Sequence, residues 1–147
     1  MIIDQKLMDE LSAQAKANPR LRQAYDLRTT PEDSSQRILN AVEPGTVLPI
    51  HRHCNSTETI VCLRGKVVQN YYDDNGNKIA SYVLAPLGSE QRRSTSNSSS
   101  SAEPIYCAMS VPVGQWHALE SLEEDSVIFE CKDGVYKPLT EIDMLCI

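Results

Sequence analysis

The stretch Gly45-Thr46-Val47-Leu48-Pro49-Ile50-His51-Arg52-His53-Cys54-Asn55-Ser56-Thr57-Glu58-Thr59-Ile60-Val61-Cys62-Leu63-Arg64-Gly65 decides how this chain is read. Two histidines stand one residue apart, a glutamate follows after four more, and a glycine sits at each end. Residues two apart on a strand point to the same face. A strand over 47–53 therefore presents His51 and His53 side by side, and a turn over 54–57 lets a strand over 57–63 bring Glu58 back beside them. The glycines stand where the chain must bend sharply.

A second element lies about sixty residues later, Pro112-Val113-Gly114-Gln115-Trp116-His117. Pro-x-Gly builds a turn and delivers His117 at the start of the next strand. The chain has only 3 histidines, and all of them fall in these two elements. Three neutral imidazoles and one carboxylate make a mixed N/O set suited to one divalent ion, Fe, Mn, Ni, Co or Zn. Four protein ligands leave positions open on a six-coordinate metal but nearly saturate tetrahedral zinc. Average residue usage gives the five fixed identities at these spacings a chance on the order of one in ten million per starting position.

Around these elements, from Arg37 onward, the chain reads as short strands separated by turn chemistry: 37–42, 66–72, 78–84, 105–111, 116–119 and 126–131, besides those above. Asp73-Asp74-Asn75-Gly76-Asn77 is a hairpin signal, because Asn-Gly supplies positive φ. Such spacing implies a mainly β barrel or jelly roll. The N-terminus differs. Asp4 can cap a helix with apolar positions Leu7, Leu11 and Ala15, and Asn18-Pro19 ends it and can cap a second short helix over 20–27. The expected division is a helical extension over 1–35 and a barrel over 36–147. The serine-rich tract 94–101 reads as an inter-strand loop that is either a plain excursion or a lid.

The 147 residues suffice for one domain, and the net charge of -6 comes without a basic, aromatic-laced stripe, so no nucleic-acid partner is expected. No apolar run reaches bilayer length, and the first residues lack the pattern of a secretory signal. The 5 cysteines, an odd number without a CxxC pair, imply reduced thiols in a cytoplasmic setting. Cys54, beside His53, is either an ordinary surface thiol or a soft extra ligand.

Other residues suit a small polar ligand. Arg20, Arg22, Arg37 and Arg52 can clamp an anion through guanidinium forks, although Arg52 alternates with the histidines and should point outward. Trp116 can stack on a sugar ring, although it alternates with His117. One of Tyr71 and Tyr72 should face the interior. Arg37, Arg52, Tyr71 and Trp116 are thus the candidate substrate residues.

The spacing resembles the two motifs of the cupin superfamily, G-x5-H-x-H-x4-E-x6-G and P-x-G-x2-H, with Tyr106 and Ser121 standing where the second motif has Gly and Asn. Leu11-Ser12-Ala13-Gln14-Ala15-Lys16, Pro19-Arg20-Leu21-Arg22, Gln36-Arg37, Glu43-Pro44-Gly45 and His51-Arg52-His53 extend the resemblance to WbuC-type cupin-fold metalloproteins found with bacterial O-antigen genes. Cys54, where proline is expected, and the serine-rich insertion depart from it. The resemblance implies a double-stranded β-helix behind a helical extension, one divalent metal on His51, His53, Glu58 and His117, and a homodimer. It further implies a sugar or sugar-nucleotide ligand in surface-polysaccharide metabolism. Two functional classes follow: a metal-dependent isomerase, epimerase, dioxygenase or lyase with Glu58 as ligand rather than base, and a binding or sensing module without turnover.

Overall fold

A computed structural model describes residues 1–89 and 104–145; the serine-rich tract 94–101 and Cys146 lie outside them. Helix α1, Gln5–Ala17, begins as its sequence dictates: the Asp4 side chain accepts a hydrogen bond from the Leu7 N–H at 3.0 Å. It ends at Asn18, whose extended backbone stops the helical repeat. Leu11 and Ala15 are fully buried and pack with Leu39, Ala41 and Val127, forming a small core on the outer face of a sheet. Arg64 pins the same helix, donating to the Asp9 carboxylate at 2.6 Å, the Met8 carbonyl at 2.9 Å and the Ser12 hydroxyl at 2.6 Å.

The segment expected as a second helix is instead β1, Arg22–Asp26, antiparallel to β2, Ser35–Val42. Leu21 just before it adopts a positive φ of 54°. Five paired positions along the edge of β2 outweigh a weak local helix preference. The remaining strands are β3 Glu58–Arg64, β4 Val67–Tyr72, β5 Lys78–Leu84, β6 Ile105–Tyr106, β7 Ala108–Val111, β8 Trp116–Ser121 and β9 Ser126–Asp133. They form a five-stranded sheet ordered β1-β2-β9-β3-β7 and a four-stranded sheet ordered β6-β5-β4-β8. The strand expected over 47–53 is not continuous. Only His51 makes ladder contacts, an isolated bridge to His117 and another to Met144; Pro49 has no N–H to offer a ladder.

Between the sheets, Val42, Ile60, Cys62, Val67, Leu84, Val111, Leu119 and Ile128 make the main core. This is the double-sheet cupin barrel, with one N-terminal helix on its outside. The cysteines among the described residues are all free, and burial pushes the Cys62 thiol up to about 11. No helix among the described residues is long and apolar enough to cross a membrane.

The turn between β3 and β4 touches the one before β9. Gly65 has φ 73°, and a Cβ there would meet the Ser126 Cα at 2.8 Å as well as its hydroxyl. That hydroxyl also accepts from the Lys66 N–H at 3.1 Å. Gly65→Ala therefore combines left-handed strain with overpacking and should cost about 2–4 kcal/mol. Gly114→Ala, with a positive φ of 78° but open space around its Cβ, should cost only the strain, about 1–2 kcal/mol. Urea denaturation of the two variants checks the difference.

Candidate metal centre

The four sequence-selected donors converge. His51, His53, Glu58 and His117 each offer one ligand atom, and these atoms lie within 4.8 Å of one another. Their positions come from different devices. Glu58 opens β3 and is paired across the ladder with Lys132 of β9. His117 sits in β8, and its N–H donates to the His51 carbonyl at 2.8 Å while the His51 N–H returns the bond at 3.0 Å. His53 is anchored by its carbonyl, which accepts from the Gly114 N–H at 2.9 Å and so ties the first motif to the Pro-x-Gly turn.

The tautomers follow from the partners. His117 Nδ1 lies 2.8 Å from the Gln115 carbonyl and His51 Nδ1 lies 3.0 Å from the Pro49 carbonyl. A carbonyl only accepts, so both Nδ1 atoms carry hydrogen and both Nε2 atoms keep a lone pair. His53 Nε2 lies 3.4 Å from the Lys132 ammonium, which only donates, so it too is an acceptor. Three imidazole lone pairs thus face one region. Glu58 Oε2 is 3.0 Å from His117 Nε2 and 3.3 Å from His53 Nε2, an approach of lone pair to lone pair that calls for a cation. Donors about 3.0 Å apart are what bonds of about 2.1 Å at right angles produce around a transition metal. Backbone carbonyls that fix the far nitrogens are the usual supports of metal-bound histidine. The residues present fit a divalent ion.

The electrostatics agree. Burial, then the neighbouring His117, lowers His51 to about 4, so it is a neutral donor near pH 7. Burial alone would raise Glu58, but the Lys132 ammonium, which donates to its Oε1 at 3.1 Å, keeps it ionised.

His51, Glu58 and His117 line a cavity of about 250 Å³ inside the barrel, walled by Val42, Leu48, Ile60, Leu119 and Ile128. His53 opens instead on an outer cleft with Arg52, Cys54 and Asp143. Of the other candidates, Arg22 of the anion clamp lines the inner cavity, and Arg37, Arg52, Tyr71 and Trp116 do not. Arg37 shares a β2 face with Leu39 and Ala41, toward α1, and pairs with Asp33. Arg52 stacks on Trp116 at 4.2 Å, and the Trp116 Nε1 donates to Asp74 at 2.9 Å, so the two meet on the outside of the barrel. Tyr71 pairs across the ladder with His117 but packs on the main core and against Tyr82. Cys54 is exposed, its thiol 3.6 Å from Asp143 rather than on the donor set.

Sequence reasoning missed the rest of the inner wall: Asn40, Gln69, Glu130 and Lys132. Lys132 donates to Glu58 Oε1 at 3.1 Å. Burial, then the charge of Glu58, pushes Glu130 up to about 8, and Asn40 donates to it at 2.9 Å. The signal was present, since alternation in 126–133 puts Ile128, Glu130 and Lys132 on one face.

Fold and site together give a cupin-type barrel with a donor set that can hold a metal. The chain belongs to the family described as "Domain of unknown function (DUF6016)", whose model matches residues 3–84. No curated protein matches it. Among solved structures, the capsular polysaccharide assembling protein CapF from Staphylococcus aureus is 21% identical over 78% of this chain, with a TM-score of 0.56. The chain spans only 27% of the length of CapF. KdgF from Halomonas sp. is 17% identical, with 80% of this chain and 82% of that one covered and a TM-score of 0.52. Oxalate oxidase in complex with glycolate is 15% identical over 83% of this chain and 55% of its own, with a TM-score of 0.57. At these identities the likeness is one of fold.

The pairing of Glu58 with Lys132 sets a prediction for metal-free protein. Both side chains are buried, 4% and 13% exposed, so removing one partner strands the other charge. Glu58→Gln should cost about 3–5 kcal/mol in urea denaturation with a chelator present. The double variant Glu58→Gln/Lys132→Met should recover most of that loss.

Proposed function

We propose that the chain is a metal-dependent cupin that holds one divalent ion on His51, His53, Glu58 and His117 and binds a small, oxygen-rich, sugar-derived ligand in the barrel. The carrying observation is the set of imidazole lone pairs and one carboxylate at the wall of the inner cavity. The role of CapF as a capsular polysaccharide assembling protein and the resemblance to WbuC-type proteins support a place in surface-polysaccharide metabolism. The same resemblance supports a homodimer, and the free thiols support a cytoplasmic setting. The described cavity suits a free monosaccharide-sized ligand; a sugar nucleotide would fit only by its sugar.

A bound divalent ion would supply Lewis acidity, polarising ligand oxygens. The chain's residues do the rest. Pro49 and Gln115 carbonyls hold the His51 and His117 rings in the donor orientation. Glu58 serves as ligand, its charge committed to the cation and to Lys132. Val42, Ile60, Leu119 and Ile128 exclude water from the cavity wall. Glu130, pushed up to about 8 by burial and then the charge of Glu58, supplies a protonated carboxyl beside the site.

Elemental analysis of tag-free protein purified without chelators should find about one equivalent of Fe, Mn, Ni, Co or Zn. The His51→Ala/His117→Ala variant should hold none. Metal absent from the wild type, with no uptake of any of the five ions, would overturn the assignment. For a metal-loaded sample, product formation from sugar-derived ligands that is lost in His117→Ala marks an enzyme. A ligand-dependent thermal shift without product marks a binder.

A further inference from the structure

Gln69, in the middle of β4, is fully buried at 0% exposure yet lines the inner cavity. Neither its Nε2 nor its Oε1 has a partner among the described residues. Other polar side chains of the wall are engaged: Asn40 with Glu130, Arg22 with the Val47 carbonyl at 3.0 Å, and Lys132 with Glu58. An unpaired buried carboxamide costs stability that Leu or Met at the same position would not. Its placement tells what it meets. Gln69 stands opposite Leu119 and Tyr71 opposite His117, so Gln69 shares the face of His117 one step along the sheet. The apolar wall of the cavity they share includes Ile60, Leu119 and Ile128.

A ligand that reaches both ends needs metal-binding oxygens at one and a neutral donor–acceptor group at the other. A carboxamide both donates and accepts without charge, and a hydroxyl is its complement. A cavity of about 250 Å³ corresponds to roughly eight water volumes, the scale of a molecule with a handful of carbons. With a divalent ion bound, Lys132 and Arg22 on the wall leave the site net positive even with Glu58 and Glu130 both ionised, which favours an anion. A carboxylate with an adjacent hydroxyl chelates a hard or borderline ion through two oxygens.

We propose that Gln69 is a ligand-recognition residue: its carboxamide hydrogen-bonds a distal hydroxyl of a small polyhydroxy acid whose α-hydroxycarboxylate end binds at the metal. This rests on the functional reading above and adds the ligand class. The amide is kept for binding at the expense of the ligand-free fold.

The test compares glycolate, glycerate and erythronate, of increasing chain length, by calorimetry on metal-loaded wild type and Gln69→Met. In the wild type one of the longer acids should bind at least tenfold tighter than glycolate. In Gln69→Met that gain should shrink below threefold, with glycolate affinity within twofold of wild type and metal content unchanged. The ligand-free variant should also melt higher than wild type. A gain that survives in the variant, a wild type indifferent to chain length, or a variant that melts lower overturns the role of Gln69. Failure of glycolate to bind either metal-loaded protein overturns the ligand class. Failure to take up metal at all overturns the functional reading beneath it.

Discussion

Glu58 carries a negative charge at 3% exposure, and much of the molecule is arranged so that this is tolerable. Its carboxylate faces two imidazole nitrogens on one oxygen and the Lys132 ammonium on the other. A buried charge without partners would cost more than a small domain can spare. Three separate stretches of chain therefore have to arrive together: the end of the 47–57 loop, the start of β8 and the end of β9. The ladder pairings of β3 with β9 and of β4 with β8 bring them there. The bridge from His51 to His117 fastens the loop that no regular strand holds.

The barrel around this centre is closed by apolar contacts that keep two cores apart. The main core fills the space between the sheets, and the smaller one lies beneath α1. Strand β2 serves both, with Leu39 and Ala41 turned to the helix and Val42 turned to the barrel. Arg37 falls on the helix face of that alternation, and so it is a surface ion-pair residue rather than a cavity residue.

The convergence of the four donors was legible because histidine is rare and its spacing within a strand or turn fixes the face it shows. The Asn75-Gly76 turn was legible for a similar reason, with Asp73 accepting from the N–H groups of Asn75 and Asn77. The same alternation that turned His51 and His117 inward turned Arg52 and Trp116 outward, where they stack on each other. What could not be read was whatever depended on partners distant in sequence. Arg22–Asp26 has a fair helical pattern, and only the exposed edge of β2 makes it a strand. Glu130 and Lys132 share a face with Ile128 by alternation, but that this face lines the cavity follows only from the packing of β9 between β2 and β3. Ser121, found where the motif expects Asn, still serves its turn by donating to the Glu123 carbonyl at 2.8 Å.

The approach of His117 to Glu58 spans 59 positions of sequence, and the His51–His117 bridge spans more. Neither exists until a long loop has closed, and closing such loops is the slow part of assembling a β-rich topology. The donor set is therefore finished late, as the sheets come together, and an unfolded chain offers an ion only scattered single ligands. An ion that binds the finished set and not its precursors pulls the folding equilibrium by mass action. Metal supply would then govern how much of this protein persists in its folded form.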